Sequence, residues 1–324
     1  MIDSGFVTSE NKKVDDSFFQ SLAQGGFQVE ALARLQYPNG VFVDAENYEY
    51  DKAIEITKQH FETTNVCLYE AAFATENLFV RSDIVKKDGS AIKLIEVKSK
   101  SYDSADQYAL IGKKGGIVAA WKPYLFDLAF QKYVAQKSFP TFTFTAYFML
   151  ADKTKKATVD GLNQMFRIRK DKDPRKEIEF TIENLEQIGD SVLCEVNVDD
   201  IINEILSGSY PYFDGLSFEE TVDFLQNSYI SNIYAGWPSK HSSCKGCEFK
   251  ATSLEEEIGL LSGFKYCFEK QFNWTETEFK KPNILEIWDC RDGSLLDQGK
   301  ILMEDLSSDD LKLKPEAGKI SRTE

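Results

Sequence analysis

Three ionisable residues, Asp83, Glu96 and Lys98, stand within one stretch, LFVRSDIVKKDGSAIKLIEVKSKS. Leu78 to Val85 and Ala91 to Lys98 alternate apolar and polar residues. Lys87-Asp88-Gly89-Ser90 between them is a turn signal, so the pattern predicts two paired strands. Side chains two apart on a strand share a face. Asp83 is therefore expected on the face of Phe79, Arg81 and Val85, and Glu96 on the face of Leu94 and Lys98, with Ile95 and Val97 turned into apolar packing. Such a hairpin brings two carboxylates and an ammonium to one end of the sheet. Carboxylates at that separation suit a hard divalent cation held through oxygen and water, with the Val97 carbonyl as a further ligand. A cation there polarises a phosphoryl oxygen and lowers the pKa of a bound water. Lys98 then orients the water and offsets charge developing on phosphate. Glu-x-Lys is common in surface strands, and the setting is what gives it weight. Ile92, Leu94, Ile95 and Val97 mark a buried central strand, where an unpaired charge is costly.

The elements that must position these residues follow from the surrounding pattern. Residues 14 to 36 read as a helix interrupted at Gly25 and Gly26, followed by a turn at Tyr37-Pro38-Asn39-Gly40. A second helix is expected from about Asp51 to Glu62. Val66 to Phe73 adds a strand ahead of the hairpin and makes a meander. Residues 102 to 120 read as a loop with Gly112, Gly115 and Gly116. Pro123 opens a helix running to about Lys137, and Thr141 to Leu150 is a β-branched and aromatic strand. The order helix, three strands, helix, strand gives an α/β fold, a mixed central sheet flanked by helices. Val198 to Leu206 and Phe218 to Ile230 read as helices, and a short helix, Leu254 to Leu261, is expected between the cysteines of the 240–274 region. The expected division is a core over residues 1–150, its completion and a cysteine-bearing helical region over 151–274, and an acidic, linker-like tail over 275–324 that leads to a further domain of a longer chain.

These motifs resemble the RecB-type branch of the PD-(D/E)xK nucleases, and in particular bacterial relatives of the CRISPR-associated iron–sulphur exonucleases, over roughly residues 20 to 275. Asp83 matches the family's aspartate, and Glu96-Val97-Lys98 its (D/E)xK triplet. Asp127-Leu-Ala-Phe-Gln131-Lys-Tyr133 resembles the downstream helical motif, and Tyr-Glu70-Ala-Ala-Phe73 the strand segment before the aspartate. The resemblance implies a restriction-endonuclease-like core with a helical, cysteine-bearing C-terminal extension. It implies a Mg²⁺- or Mn²⁺-dependent deoxyribonuclease, more specifically an exonuclease, in DNA repair, recombination or defence. It also implies catalytic roles for Gln131 and Tyr133 and a metal-reaching role for Glu70. Positions two apart on a helix do not share a face, so Gln131 is the better candidate, and Tyr133 reads equally well as core. Glu70 reads equally well as a structural partner of Arg81 or Lys98.

The relatives hold a [4Fe–4S] cluster on one upstream and three C-terminal cysteines. Cys244, Cys247 and Cys267 match the three. No cysteine precedes Cys67, which falls in a predicted strand. Three readings stay open: a missing upstream segment, an incomplete site, or a zinc site completed by His241. Three unrelated thiols are the bland alternative. Cys194 and Cys290 read as structural.

The net charge is −15, which disfavours nucleic acid globally. Basic residues nevertheless crowd one stretch, Lys153 to Lys176. Arg167, Arg169 and Lys170 there, with Lys100, Lys113 and Lys114, are the candidate DNA contacts. The balance of acid keeps a second reading alive: a catalytically silent nuclease-fold domain that binds nucleic acid or scaffolds a larger repair protein. A third is a zinc-stabilised interaction module. No apolar run is long enough for a membrane helix, and the N-terminal stretch has no apolar core of the signal-peptide kind, so a cytoplasmic protein is expected.

Overall fold

The computed structural model of the chain describes residues 5–6, 17–46, 48–168, 178–180, 185–213, 215–233, 241–287 and 293–310. Two units separate, one formed by residues 18–211 with 217–219, the other by 212–216 and 220 onward with the N-terminal residues.

In the first unit, α1 (Ser17–Arg34) leads to β1 (Val41–Phe42), α2 (Tyr50–Phe61), and a meander of β2 (Asn65–Ala74), β3 (Phe79–Asp88) and β4 (Ala91–Tyr102). Then come α3 (Lys122–Ser138), β5 (Thr143–Asp152), a two-strand ribbon of β6 (Phe166–Ile168) and β7 (Ile178–Phe180), β8 (Leu193–Asn197) and α4 (Asp199–Leu206). Six strands form one mixed sheet in the order β1-β2-β3-β4-β5-β8. β2, β3 and β4 are antiparallel, while β5 runs parallel to β4, with Glu96 opposite Phe148 and Lys98 opposite Leu150. A parallel neighbour requires a crossover, and α3 supplies it.

Helices cover both faces. On one, Ala31, Leu32 and Ala33 of α1 pack with Ile84, Ile95, Val97 and Met149. On the other, Phe61 of α2 packs edge-on against Phe73 of β2, which meets Phe139 and Phe144, and Trp121 packs against Phe148. Burying each such ring contributes roughly 1.5–3 kcal/mol. Lys132 of α3 is buried, and its ammonium is satisfied by Asp199 at 2.6 Å and Asn203 at 2.7 Å, which ties α3 to α4.

Strict alternation fails where β2, β3 and β4 meet. Glu70 has φ +58°, and pairing of β3 with β4 stops at Ile84–Ile95, so Asp83 leaves the ladder. Ser82 reaches Gln131 of α3, whereas Ile84, two residues on, packs with α1. Tyr69 and Phe73 divide between the same two layers. The simple face assignment made from sequence is thereby corrected: Arg81 and Asp83 do not continue the face of Val85 across an unbroken strand.

α5 (Phe218–Ile230) begins with two residues of the first unit and continues in the second, where it is followed by a 3₁₀ turn (His241–Gly246), α6 (Ser253–Glu257), α7 (Gly263–Phe272) and α8 (Gly293–Asp297). Thr252 and Glu255 form a capping box on α6. α7 begins at the Ser262 cap and ends at Asn273 in the left-handed region, and it carries Cys267; the sequence reading placed no helix there. Trp274, Ile284, Leu295, Leu296, Ile301 and Leu302 close a small core with Phe264 and Phe268. The described residues 275–287 and 293–306 therefore contribute to a packed core, in contrast to the expected linker. Its acidic composition hid apolar residues spaced too widely to show a period.

Gly40 sits where the Tyr37–Gly40 turn crosses Tyr69, whose hydroxyl donates to the carbonyls of Arg34 and Tyr37. A Cβ on Gly40 would lie 2.2 Å from the Tyr69 ring. Gly40→Ala is expected to lower the melting temperature, by an overpacking cost of about 1–3 kcal/mol, measured by thermal denaturation; an unchanged melting temperature would show that Tyr69 is not fixed there.

Candidate active site

The opened ladder concentrates charge. Asp83 uses Oδ2 to accept the Val97 amide at 2.7 Å, a bond that β3 would otherwise supply from its backbone. Glu30 of α1, Glu70 of β2 and Asp83 present carboxylate oxygens that all lie within 4.8 Å of one another. Glu96 is almost wholly buried, its Oε1 2.5 Å from the Lys98 ammonium and its Oε2 accepting from Gln131 Nε2 at 2.9 Å. The other end of the Gln131 amide accepts from Ser82 at 2.9 Å. Ser82, Gln131 and Glu96 thus form a fixed relay, and Lys98 also lies 3.6 Å from Asp127.

Arg34 is the local counter-charge on α1. One turn after Glu30, it bonds that carboxylate, lies 3.7 Å from Glu70, and sits over the Phe42 and Tyr69 rings at 5.0 and 5.5 Å. The compensation is partial. Burial, against the pull of Arg34 and with the added repulsion of Glu70, pushes the Glu30 carboxyl up to about 7. Burial and the charges of Glu96, Glu30 and Glu70 raise Asp83 well above the usual range, although the Val97 amide opposes them. Glu96 is raised by burial despite Lys98. Burial lowers the Lys98 ammonium, but Glu96, Asp83 and Asp127 outweigh it, and the net shift is upward, so Lys98 stays charged. At about 4 Å and an effective dielectric near 20, each pair of like charges costs on the order of 4 kcal/mol. Clustered oxygen donors, Glu70 and Glu96 buried and Glu30 and Asp83 half-buried, several of them with raised carboxyl pKa values, have the chemistry of a hard-cation site.

The structure brings Asp83, Glu96, Lys98, Glu70, Gln131 and the Val97 backbone together. It does not bring Tyr133: its hydroxyl donates to Glu219 at 3.0 Å and its ring packs on Phe218, because a residue two positions from Gln131 faces elsewhere on α3. Glu70 pairs with Arg34 rather than with Arg81 or Lys98, and Arg81 instead donates to the carbonyls of Ala45 and Glu46. Glu30 and Arg34 escaped the sequence reading. Their signal is a Glu and an Arg spaced i, i+4 inside the largely apolar FQVEALARL.

Of the candidate DNA contacts, Lys100 lies beyond Lys98, over the rings of Trp121 and Tyr124. Lys113 and Lys114 occupy the tip of a loop closed by an Ile111–Ile117 bridge, and Arg167 is exposed on β6. Arg169 and Lys170 lie outside the described residues.

Cys244, Cys247 and Cys267 pack around the small core of the second unit. Burial and the other two sulphurs push the Cys244 thiol up to about 11. Among the described residues the one group of three metal-type ligands within mutual 4.8 Å is the carboxylate set, not these sulphurs. Among the described residues the three thiols fall one short of the four thiolates that such a cluster takes. Cys290 and the His241 side chain lie outside the described residues.

Comparison with protein-family models, with curated proteins and with solved structures found no match. No described helix is long and apolar enough to cross a membrane.

A carboxyl whose pKa is higher folded than unfolded stabilises the fold at low pH, and that stability is lost as pH rises through the folded value. For Glu30 the window runs from its ordinary 4.5 to about 7, with a loss on the order of 3 kcal/mol. In chelator, wild type is expected to lose stability across this window relative to Glu30→Gln, whose profile is flatter. Equal slopes for the two in denaturant titrations would contradict the repulsion described.

Proposed function

We propose that this chain is a divalent-metal-dependent nuclease of the PD-(D/E)xK type acting on DNA. The observation that carries the reading is the convergence of Glu30, Glu70 and Asp83, whose carboxylate oxygens lie within 4.8 Å of one another, with Glu96 near enough for its charge to act on Asp83 and with Lys98 bonded to Glu96, at the point where β3 and β4 part. The element order supports it: a helix, a three-strand meander, a crossover helix and a strand parallel to the last of the three. Glu30, Glu70, Asp83 and Glu96 are the residues that would hold Mg²⁺ or Mn²⁺. Bound there, the cation would supply Lewis-acid polarisation of the phosphate and a more acidic water.

The protein's own groups do the rest. Gln131, fixed by Ser82, holds Glu96 in one orientation. Glu96 and Asp127 hold the Lys98 ammonium in its charged form at the edge of the site. From there it donates to water or to a non-bridging phosphate oxygen and offsets charge that grows during phosphodiester cleavage. Arg34 anchors Glu30 and Glu70 from the opposite side.

Asp83→Ala and Glu96→Ala are each expected to abolish Mn²⁺-dependent cleavage of single- and double-stranded DNA while the protein stays folded, because each removes an oxygen donor rather than core volume. Lys98→Ala lowers the rate by about 100-fold or more, and Lys98→Arg does not restore it, since a planar fork does not replace a compact ammonium. Wild-type rates in both carboxylate variants would refute the assignment. A wild type that binds DNA without cutting it would favour the silent-domain reading.

A further inference from the structure

Arg34 is a fixed cation among the acids of the site. It stands one turn after Glu30 on α1, bonds that carboxylate and lies 3.7 Å from Glu70, with 14% of its side chain exposed. Its guanidinium is backed by the rings of Phe42 and Tyr69, which are register partners on the parallel pair β1 and β2. The Tyr69 hydroxyl donates to the carbonyls of Arg34 and Tyr37, so the ring behind the guanidinium is tied to the end of the same helix. A guanidinium carries a permanent charge, and its planar fork fixes the direction of each bond it donates.

Span and charge both bear on how many ions these acids take. The carboxylate oxygens of Glu30, Glu70 and Asp83 all lie within 4.8 Å of one another. Oxygens on opposite sides of one Mg²⁺ are about 4.2 Å apart, twice the bond length. A two-ion centre, with its ions about 3.5–4 Å apart, spreads its outermost donors over roughly 8 Å. The set therefore has the span of a single coordination sphere. Its three negative charges, less the positive charge of Arg34, leave what one divalent ion cancels. Glu96 brings its own counter-charge in Lys98.

We propose that Arg34 is the resident cation of this site and that its charge limits the acids to one divalent ion. The inference rests on the metal-dependent reading above and adds the number of ions. A second ion would set two further positive charges beside a guanidinium that keeps its proton and is held by Phe42 and Tyr69. Like charges at that range repel as strongly as the carboxylates they would relieve. A purely structural Arg34 predicts something else. If it only held Glu30 and Glu70 in position, its loss would leave one ion bound about 10- to 100-fold more weakly. Loss of a limiting charge instead opens the site to a second ion.

The test is Mn²⁺ binding to the whole chain, stripped with chelator and free of nucleic acid. Stoichiometry comes from equilibrium dialysis and the state of the ion from frozen-solution electron paramagnetic resonance, with melting temperatures recorded for every variant. An isolated Mn²⁺ gives a six-line signal, and two ions close together couple and broaden it. Wild type is expected to bind one ion with the isolated signal. Arg34→Gln, which keeps a hydrogen-bonding side chain and removes the charge, binds two and shows the coupled signal. Arg34→Lys, which keeps the charge, binds one. The double variant Glu30→Gln/Arg34→Gln, which removes one charge of each sign, returns to one ion. The proposal is overturned if wild type or Arg34→Lys binds two ions, if Arg34→Gln binds one, or if the double variant keeps two. Should Arg34→Gln fail to fold, Arg34→Lys and the double variant decide: one ion in each upholds the limit, and two in either overturns it. Mn²⁺-dependent cleavage, measured in parallel, separates the two ideas. A wild type that cuts and binds one ion, beside an Arg34→Gln that also binds one, defeats the role of Arg34 alone. A wild type that neither cuts nor binds Mn²⁺ defeats the nuclease reading with it.

Discussion

Buried like charge at the parting of β3 and β4 is the constraint around which the first unit is arranged. Four carboxylates, Glu30, Glu70, Asp83 and Glu96, face two cations, Arg34 and Lys98. Burial raises Glu30, Asp83 and Glu96, and the remaining repulsion is not relieved by the protein's own hydrogen bonds. Apolar residues of similar volume at these positions would be cheaper for folding. The arrangement makes physical sense if a positive ion completes it, and the surrounding structure holds the acids in place: the left-handed Glu70, the Val97 amide on Asp83, the Ser82–Gln131 relay on Glu96, and the aromatic shelf under Arg34.

Much of this was legible in the sequence because it rests on local pattern. The meander, the crossover helix and the strand after it follow from alternation, a turn signal and Pro123, and they place Asp83, Glu96 and Lys98 near one another before any tertiary contact is known. Glu30 was not legible, since its partner acids lie on other elements and a helical Glu with an Arg four residues on reads as an ordinary surface pair. The break in alternation was hidden for a related reason. The break is one residue's backbone angle, and Glu70 in the left-handed region leaves no mark in the order of residue types. Tyr133 shows the opposite failure: a motif suggested a role, and helical geometry turned the ring towards Phe218 and Glu219.

The second unit shows how composition misleads. Residues 275 to 306 look like a solvated tail by charge, yet Trp274, Ile284, Leu295 and Ile301 bury themselves against Phe264 and Phe268. The three cysteines sit on the border of that core, as partly buried thiols would. The hard-oxygen site in the first unit rests on different residues.

Calorimetric titration of Mn²⁺ into chelator-stripped protein tests the central claim most directly, since it needs neither substrate nor turnover. The account predicts saturable binding in wild type. It predicts affinity reduced by about tenfold or more in Glu30→Gln and Asp83→Asn, and unchanged affinity in Tyr133→Phe. No binding heat in wild type, or equal affinity in wild type and both carboxylate variants, would contradict it.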